Sequence, residues 1–418
     1  MKPGLDRQKQ IYLNGFMGNR ASIPVDWHKL EQKAKAMMSP EAFAYIAGGA
    51  GLESTMASNR SAFEKYKIVP RMLRDVSTRT ISIELFGQLL SSPLLLAPVG
   101  VLQMVHEQAD LAVGKAAAEL DMPYIFSNQA SKPMEEVAAV MGNSARWMQL
   151  YWSKSTELVE SFAHRAEKCG CSALVITLDT TLLGWRTRDL DIAYLPFLQG
   201  KGIAQYTSDA VFQKLIDEKS IASDRKITIH SLAGLIEMTR NFPGHGFISK
   251  LLSGRPIKAV QKFIDIYSNP ALTWNDLKFL RDRTKLPIIL KGITHSDDAR
   301  MAIDHGMDGV IVSNHGGRQV DGAISTLDAL PSIVETVKGK IPVLIDSGIR
   351  GGADIFKALA LGANAVCIGR PYVYGLTIGG QQGVVEVMNN LLAEFDLTMG
   401  LAGCKNISEI TSDHLIKV

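Results

Sequence analysis

Short apolar runs alternate with helix-like segments along most of the chain. The spacers show helical periodicity, as in DLAVGKAAAEL, TELVESFAHRAEKCG and GADIFKALALGA. Continuously apolar strands that alternate with helices are typical of a parallel sheet buried on both faces. Eight such units predict an α/β fold, a TIM (β/α)8 barrel. The predicted strands are 93–100, 122–128, 146–152, 173–179, 287–292, 309–316, 342–348 and 365–371.

The same pattern leaves one alternative, a doubly wound open sheet. Its dinucleotide-binding form requires a G-x-G-x-x-G spacing after the first strand. That spacing is absent after the first predicted strand, so the barrel is favoured.

Two segments do not fit the repeat. Residues 1–92 combine helical patterns with the hairpin-like TISIELFG, which predicts an N-terminal helical segment and hairpin packed on a barrel of 93–418. Residues 190–274 form a long insertion after the fourth strand, and connections of this length are usually functional, so a lid is predicted. The insertion mixes apolar residues with Lys250, Arg255, Lys258 and Lys262, which leaves a peripheral membrane contact open.

Composition narrows the class of protein. The 418 residues are 46% hydrophobic and 21% charged, which allows a large core and excludes global disorder. A net charge of +3 with mixed signs gives no case for nucleic acid. The start MKPGLDRQKQ lacks a secretory apolar core, and no run reaches the ~18 apolar residues of a membrane helix, so a cytoplasmic protein is expected. Four scattered cysteines predict neither a disulfide framework nor a metal site.

Charged and polar residues collect at the predicted strand ends, where barrels of this kind carry their chemistry. Any one of them alone is compatible with a helix cap or an exposed polar residue. Together they predict one active site at the mouth of the barrel. The residues are Asp179, Arg186, Lys291, His315, Arg318, Asp346, Arg350 and Arg370.

The loops after the last two strands are the most specific part of this set. DSGIRGGAD and IGRP provide small residues that free backbone N–H groups, together with Arg350 and Arg370 for bidentate phosphate contacts. A cofactor or substrate with a phosphate group is therefore predicted. The absence of a Walker-type lysine motif disfavours a nucleoside triphosphate.

The remaining strand-end residues suit a small carboxylic acid. Arg186, Arg318 and Tyr45 could bind a carboxylate. His315 could accept a proton with Asp179 stabilising the imidazolium, and Lys291 offers a fixed positive charge to an electron-accepting ring. This combination predicts oxidation of a 2-hydroxy acid. Since no nicotinamide-binding half is present, FMN is the simplest cofactor.

Several motifs extend this prediction to a family. They include FAYIAGGAG, LLLAPVG, MQLYW, VITLDTTLLGWRTRDL, LPIILKGI, VSNHGGRQ, DSGIRGGADIFKALALGA and IGRP. On these motifs the sequence resembles the FMN-dependent α-hydroxy acid oxidases and dehydrogenases over nearly its whole length, most weakly over 200–270. Most members carry alanine at the position of Gly100. A glycine here resembles the lactate 2-monooxygenase subgroup. An L-lactate oxidase and a quinone-linked L-lactate dehydrogenase remain the alternatives.

The resemblance also implies residue roles. Tyr45, Arg186 and Arg318 would hold the substrate carboxylate, Tyr151 its hydroxyl, and His315 would be the base assisted by Asp179. The substrates would be a small 2-hydroxy acid and O2, and the protein would be a homo-oligomer, a tetramer or octamer. The implied FMN contacts are Pro98, Val99, Gly100, Ser127, Gln149, Thr177, Lys291, Ser313, Asp346, Gly348, Arg350, Gly369 and Arg370.

Overall fold

The segment before the barrel is mainly helical in the computed structural model, which describes residues 3–217 and 229–418. Strands β2 and β3 of this segment pair as an antiparallel hairpin. The elements are α1 (Pro3–Phe16), α2 (Trp27–Met37), α3 (Pro40–Ala47), α4 (Ser54–Glu64), β1 (Tyr66–Ile68), β2 (Ile83–Leu85) and β3 (Gln88–Leu90).

Eight parallel strands then close into a barrel, in which neighbours in sequence are neighbours in space. The ring is completed where the last strand pairs with the first, with Val366 opposite Leu94. This closure confirms the predicted barrel and excludes the open sheet. The strands are β4 (Leu94–Leu96), β5 (Tyr124–Phe126), β6 (Arg146–Tyr151), β7 (Leu174–Thr177), β8 (Ile288–Ile293), β9 (Gly309–Val312), β10 (Val343–Ile345) and β11 (Ala365–Ile368).

Helices surround the barrel, and most of them bury an apolar face. In α7, Ser155 caps the first turn by accepting a hydrogen bond from Leu158 N at 3.3 Å, and Leu158 and Phe162 are buried. The helices after β4 are α5 (Ala109–Glu119), α6 (Met134–Met141), α7 (Thr156–Lys168), α8 (Thr187–Asp191), α9 (Ala204–Thr207), α10 (Ala210–Asp217), α11 (Ile229–Asn241), α12 (Phe247–Ser253), α13 (Arg255–Ile266), α14 (Leu277–Arg281), α15 (Ser296–Asp304), α16 (Thr326–Val337), α17 (Gly352–Ala360) and α18 (Arg370–Leu401).

The insertion of 190–274 is mainly helical where it is described. It contains α9 to α13, while its residues 218–228 lie outside the described part of the chain. Phe263 of α13 is fully buried against Phe197 and Tyr206, with ring centroids 5.2 Å and 4.8 Å apart. The insertion therefore has an aromatic core of its own.

The barrel is filled from inside and closed at its amino-terminal end. The hairpin residues Leu85 and Leu90 pack on the interior cluster. A side chain at Gly309, the first residue of β9, would meet the ring of Phe86 at 2.9 Å, so the hairpin sits at the start of the strands. The interior of the barrel is therefore open at the opposite mouth. The interior residues include Leu95, Ile125, Trp147, Val175, Ile289, Ile311, Leu344 and Cys367.

The chain end returns to the segment before the barrel. Strand β12 (Leu415–Lys417) pairs antiparallel with β1, with Tyr66 opposite Lys417. Among the described helices, none combines the length and apolar character required to cross a membrane.

Candidate active site

A cavity opens at the carboxyl-terminal mouth of the barrel. Tyr45 of α3 and two aromatic residues of the insertion, Phe197 and Tyr267, complete its wall. Each barrel strand or the loop after it contributes to the lining, with Pro98, Gln129, Tyr151, Thr180, Lys291, His315, Asp346 and Gly369. The predicted strand-end residues therefore do converge on one cavity.

His315 and Asp179 form a hydrogen-bonded pair at this mouth. His315 has a left-handed backbone, with φ of 57°, and its Nδ1 lies 2.7 Å from Asp179 Oδ1. Burial lowers the pKa of His315, so the imidazole is neutral at neutral pH. Although burial raises the pKa of Asp179, its interaction with His315 and the positive charge of Lys291 bring it well below its usual range. The carboxylate therefore accepts the Nδ1 proton and leaves Nε2, on the far side of the ring, as an acceptor.

Lys291 places a buried positive charge beside this pair. Its Nζ donates to Ser313 Oγ at 2.9 Å and lies 3.4 Å from Asp346 Oδ2 and 3.8 Å from Asp179 Oδ2. Burial alone lowers the pKa of Lys291, but the two carboxylates raise it well above its usual range. The ammonium is therefore charged.

Two neighbouring guanidinium groups line another side of the cavity. Arg318 donates to the carbonyls of Tyr45 and Gly48 and lies over the Tyr45 ring, 5.0 Å from its centroid. Arg186 donates to the Arg318 carbonyl at 3.3 Å. Within residues 3–217 and 229–418, neither guanidinium forms an ion pair with a carboxylate. Burial and the nearby charge of Arg186 lower the pKa of Arg318. The pair is thus suited to an anionic ligand.

A second cationic region lies by the loops after β10 and β11. Arg370 donates to the carbonyls of Ile46, Gly316 and Gly48 at 2.9–3.0 Å. Burial and the mutual repulsion of the two guanidinium groups lower the pKa of Arg350 to about 10. Gly316 must be glycine because its φ is +67° and a Cβ would lie 2.8 Å from Arg370 Nη1. This region can hold a phosphate.

Five predicted residues lie behind the cavity wall instead of on it: Ser127, Gln149, Thr177, Asp179 and Ser313. Gln149 accepts from Asn128 N at 3.1 Å, but its Nε2 is buried and has no partner in the described structure. The hydroxyl of Thr177 is likewise buried and has no hydrogen-bond partner in the described structure. A buried polar atom without a hydrogen-bond partner lowers the stability of the fold, so both side chains are suited to bind a polar ligand. Together with Lys291 they fit the polar edge of a flavin ring.

Comparison with known proteins decides the family. The model of the FMN-dependent dehydrogenase family matches residues 34–417. The chain belongs to this family.

Relatives of this chain are named as hydroxy acid oxidases and dehydrogenases. An L-lactate oxidase of Lysinibacillus sphaericus is 43% identical over 398 residues, covering 95% of this chain and 94% of the relative. The 2-hydroxyacid oxidase 1 of Homo sapiens is 37% identical over 382 residues, covering 91% and 93%. The structure of a mandelate oxidase with (S)-4-hydroxymandelic acid is similar with a TM-score of 0.77 and 34% identity, covering 94% and 98%. The cofactor is FMN and the reaction class is α-hydroxy acid oxidation.

The site also contains residues that sequence reasoning missed. Gln319 Nε2 donates to the carbonyls of Asp179 and Leu182, at 2.6 Å and 2.9 Å, and its Oε1 accepts from Arg186 at 3.1 Å. Thr180 Oγ1 lies 3.2 Å from His315 Nδ1. The motif SNHGGRQ contained Gln319 but gave no role for it. Phe197 and Tyr267 come from the insertion, where no periodic signal pointed to the cavity.

Proposed function

We propose that this protein oxidises L-lactate, or an L-2-hydroxy acid of similar size, with O2, and releases acetate, CO2 and water. The observation that carries the proposal is the shared cavity of His315, Arg186 and Arg318, with Asp179 hydrogen-bonded behind the histidine. A neutral imidazole beside two guanidinium groups matches a substrate that has one carboxylate and one proton to lose.

In the proposed reaction Arg186 and Arg318 bind the substrate carboxylate. Tyr151 donates a hydrogen bond to the substrate hydroxyl oxygen, since burial raises the pKa of this phenol and keeps it protonated. His315 Nε2 accepts the hydroxyl proton, and Asp179 stabilises the imidazolium that forms. The other oxygen of Asp179 lies 3.8 Å from Lys291 Nζ, so the carboxylate interacts with both the histidine and the lysine.

FMN, when bound, supplies a ring that takes two electrons from the substrate and passes them to O2. Lys291 would stabilise negative charge on that ring, and Gln149 and Thr177 would bond its polar edge. The remaining proposed holders of the cofactor are Pro98, Val99, Gly100, Ser127, Ser313, Asp346, Gly348, Arg350, Gly369 and Arg370.

The aromatic wall favours a small substrate side chain. Phe197 is 3% exposed and lies edge-on to Tyr45, with ring centroids 6.5 Å apart, while Tyr267 closes the wall beside it. Phe197 and Tyr267 lie on the side of the cavity that the insertion forms. A methyl group, as in lactate, suits the remaining space better than a phenyl ring.

The product depends on how long pyruvate stays bound. Pyruvate that meets peroxide before release gives acetate, CO2 and water, whereas early release gives pyruvate and hydrogen peroxide. Gly100 supports retention, because a methyl group there would lie 3.0 Å from Cβ and the carbonyl oxygen of Gln129, which lines the cavity. The oxidase outcome is the second candidate, since a relative at 43% identity is named an L-lactate oxidase.

The first experiment tests the reaction class and substrate. Anaerobic L-lactate should bleach the flavin absorbance of the purified holoenzyme, and D-lactate at equal concentration should not. Bleaching by L-mandelate in preference to L-lactate would contradict the proposed substrate.

The second experiment measures products in air. The proposal expects about one acetate per O2 consumed and little peroxide, and stoichiometric peroxide with pyruvate would contradict it. The variant Gly100→Ala should release more peroxide than the wild type, because the added methyl group displaces Gln129 and narrows the space for retained pyruvate. Turnover that requires a quinone analogue in place of O2 would indicate a dehydrogenase instead.

A further inference from the structure

We propose that Trp27 is a positioning residue for FMN, because its indole face holds the Arg350 guanidinium in place for the cofactor phosphate. Trp27 is the first residue of α2, outside the barrel. The inference rests on the proposed phosphate site of Arg350 and Arg370. It makes a helix of the N-terminal segment a determinant of cofactor affinity.

Arg350 has few partners that could fix its charged group. Its guanidinium lies 4.1 Å from the centroid of the Trp27 ring. One nitrogen donates to the carbonyl of Ile349 at 2.8 Å, and Nε is buried with no partner in the described structure. Within residues 3–217 and 229–418, no carboxylate forms an ion pair with Arg350. Asp354, four residues further along the chain, is engaged by the backbone N–H of Arg350 and by Arg60.

Trp27 itself is held firmly. Asp26 caps α2 by accepting a hydrogen bond from Lys29 N at 2.8 Å, which fixes the start of the helix at Trp27. The indole ring is stacked with Tyr374, with centroids 5.6 Å apart and planes at 28°. The Tyr374 hydroxyl donates to Glu31 on the next turn of α2, at 2.9 Å. The aromatic face presented to Arg350 is therefore fixed from two elements.

An aromatic face suits this position better than a carboxylate would. The electron-rich face of tryptophan attracts a guanidinium without neutralising it. A carboxylate in the same place would pair with Arg350 and compete with the phosphate for its donors. Trp27 can thus orient the cation and leave its full charge and its free N–H groups for the anion.

The test measures FMN retention in Trp27→Leu and Trp27→Phe. Release of FMN from the diluted holoenzyme is followed by the rise of flavin fluorescence. We expect the dissociation constant to rise about tenfold in Trp27→Leu, which corresponds to about 1.4 kcal/mol, and less in Trp27→Phe, which keeps an aromatic face. Trp274→Leu is the matched control, because Trp274 is also half-buried and stacked, on His305, but lies outside the cavity. An unchanged constant in Trp27→Leu would overturn the inference.

Riboflavin, which lacks the phosphate, separates positioning from a general effect on folding. The full chain freed of flavin is titrated with FMN and with riboflavin. Trp27→Leu should weaken FMN binding and leave riboflavin binding unchanged, and its effect should vanish in an Arg350→Gln background. Equal weakening of both ligands would overturn the inference by showing a structural role. No effect of Arg350→Gln on FMN would overturn the phosphate site and this inference together, while lactate oxidation is tested separately.

Discussion

His315 carries the proposed proton transfer, and its carboxylate partner sets its basicity. In Asp179→Asn the amide can still accept a hydrogen bond, but the negative charge is lost. Asp179 raises the pKa of His315 against the effect of burial, so its removal lowers that pKa further. We expect kcat/KM for L-lactate to fall by about a hundredfold or more at its plateau, while its acidic limb moves to lower pH.

A pH profile of kcat/KM checks this expectation. Asp297→Asn is the control, because this exposed aspartate pairs with Arg300 on α15 and should leave the profile unchanged. An acidic limb at the same pH in Asp179→Asn and in the wild type would show that Asp179 does not act on His315.

Gln319 connects the two loops that carry the proposed substrate and proton-transfer residues. Leucine at this position keeps the approximate size and removes the bonds to Asp179, Leu182 and Arg186. Since a hydrogen bond to a charged group contributes about 1.5–3 kcal/mol, we expect Gln319→Leu to raise KM for L-lactate by about tenfold or more. Steady-state kinetics test this, with Val320→Ala, an exposed neighbour, as control. An unchanged KM with full FMN content would contradict the positioning of Arg186 by Gln319.

At the scale of residues, the sequence was informative where a polar or charged side chain lies at the end of a barrel strand. His315, Lys291 and Asp346 could be located because parallel strands end at one rim of a barrel. The role of Gln319 could not be predicted, because a side-chain amide can donate to backbone carbonyls in almost any sequence context. Nor could the sequence show that Gln149 and Thr177 lie behind the cavity wall, since that depends on the packing of neighbouring strands.

At the scale of elements, the insertion determines the shape of the cavity through stacked rings. Phe197 packs on Phe263 and Tyr267, whose own rings are stacked 5.0 Å apart. Phe197→Ala should open this wall, so we expect kcat/KM for L-mandelate to rise relative to that for L-lactate by about tenfold. Phe162→Ala is the matched control, because this buried ring packs on Tyr206 away from the cavity lining. A ratio that does not change would contradict the role of the insertion in substrate choice.

The eight strands were predictable because each is a continuous apolar run of the right length between helical segments. The insertion and its bounds were also predicted, but the packing of its helices was not. The buried residues of α13 have helical spacing, yet that spacing does not show that Phe263 contacts Phe197 and Tyr206. The pairing of β1 with β12 also escaped prediction, because three-residue strands that meet across almost the whole chain carry no local signal.

At the scale of the whole molecule, α1 exposes more apolar surface than a monomer usually tolerates. Tyr12, Leu13, Phe16 and Met17 are 60–92% exposed, on two adjacent turns or just beyond them. Contiguous patches of this kind mark association surfaces. We therefore expect the homo-oligomer that the family resemblance implied, a tetramer, to use this helix.

Light scattering coupled to size exclusion tests the expectation. The double variant Leu13→Asp and Phe16→Asp should shift the mass toward that of a smaller assembly, and Gln8→Asp, which adds a charge to the same helix, should not. A wild-type protein that elutes as a monomer would contradict it.

The junction of β11 with β4 has a consequence for how the enzyme is made. The two strands are separated by about 270 residues, which a ribosome adds in roughly 15 to 50 s. During that time the edge strand of the nascent sheet is unpaired and can pair with another chain. The arginines proposed for the cofactor phosphate are synthesised in the same late stretch. We therefore expect FMN to bind only when the chain is nearly complete, and chains truncated before β11 to be inactive.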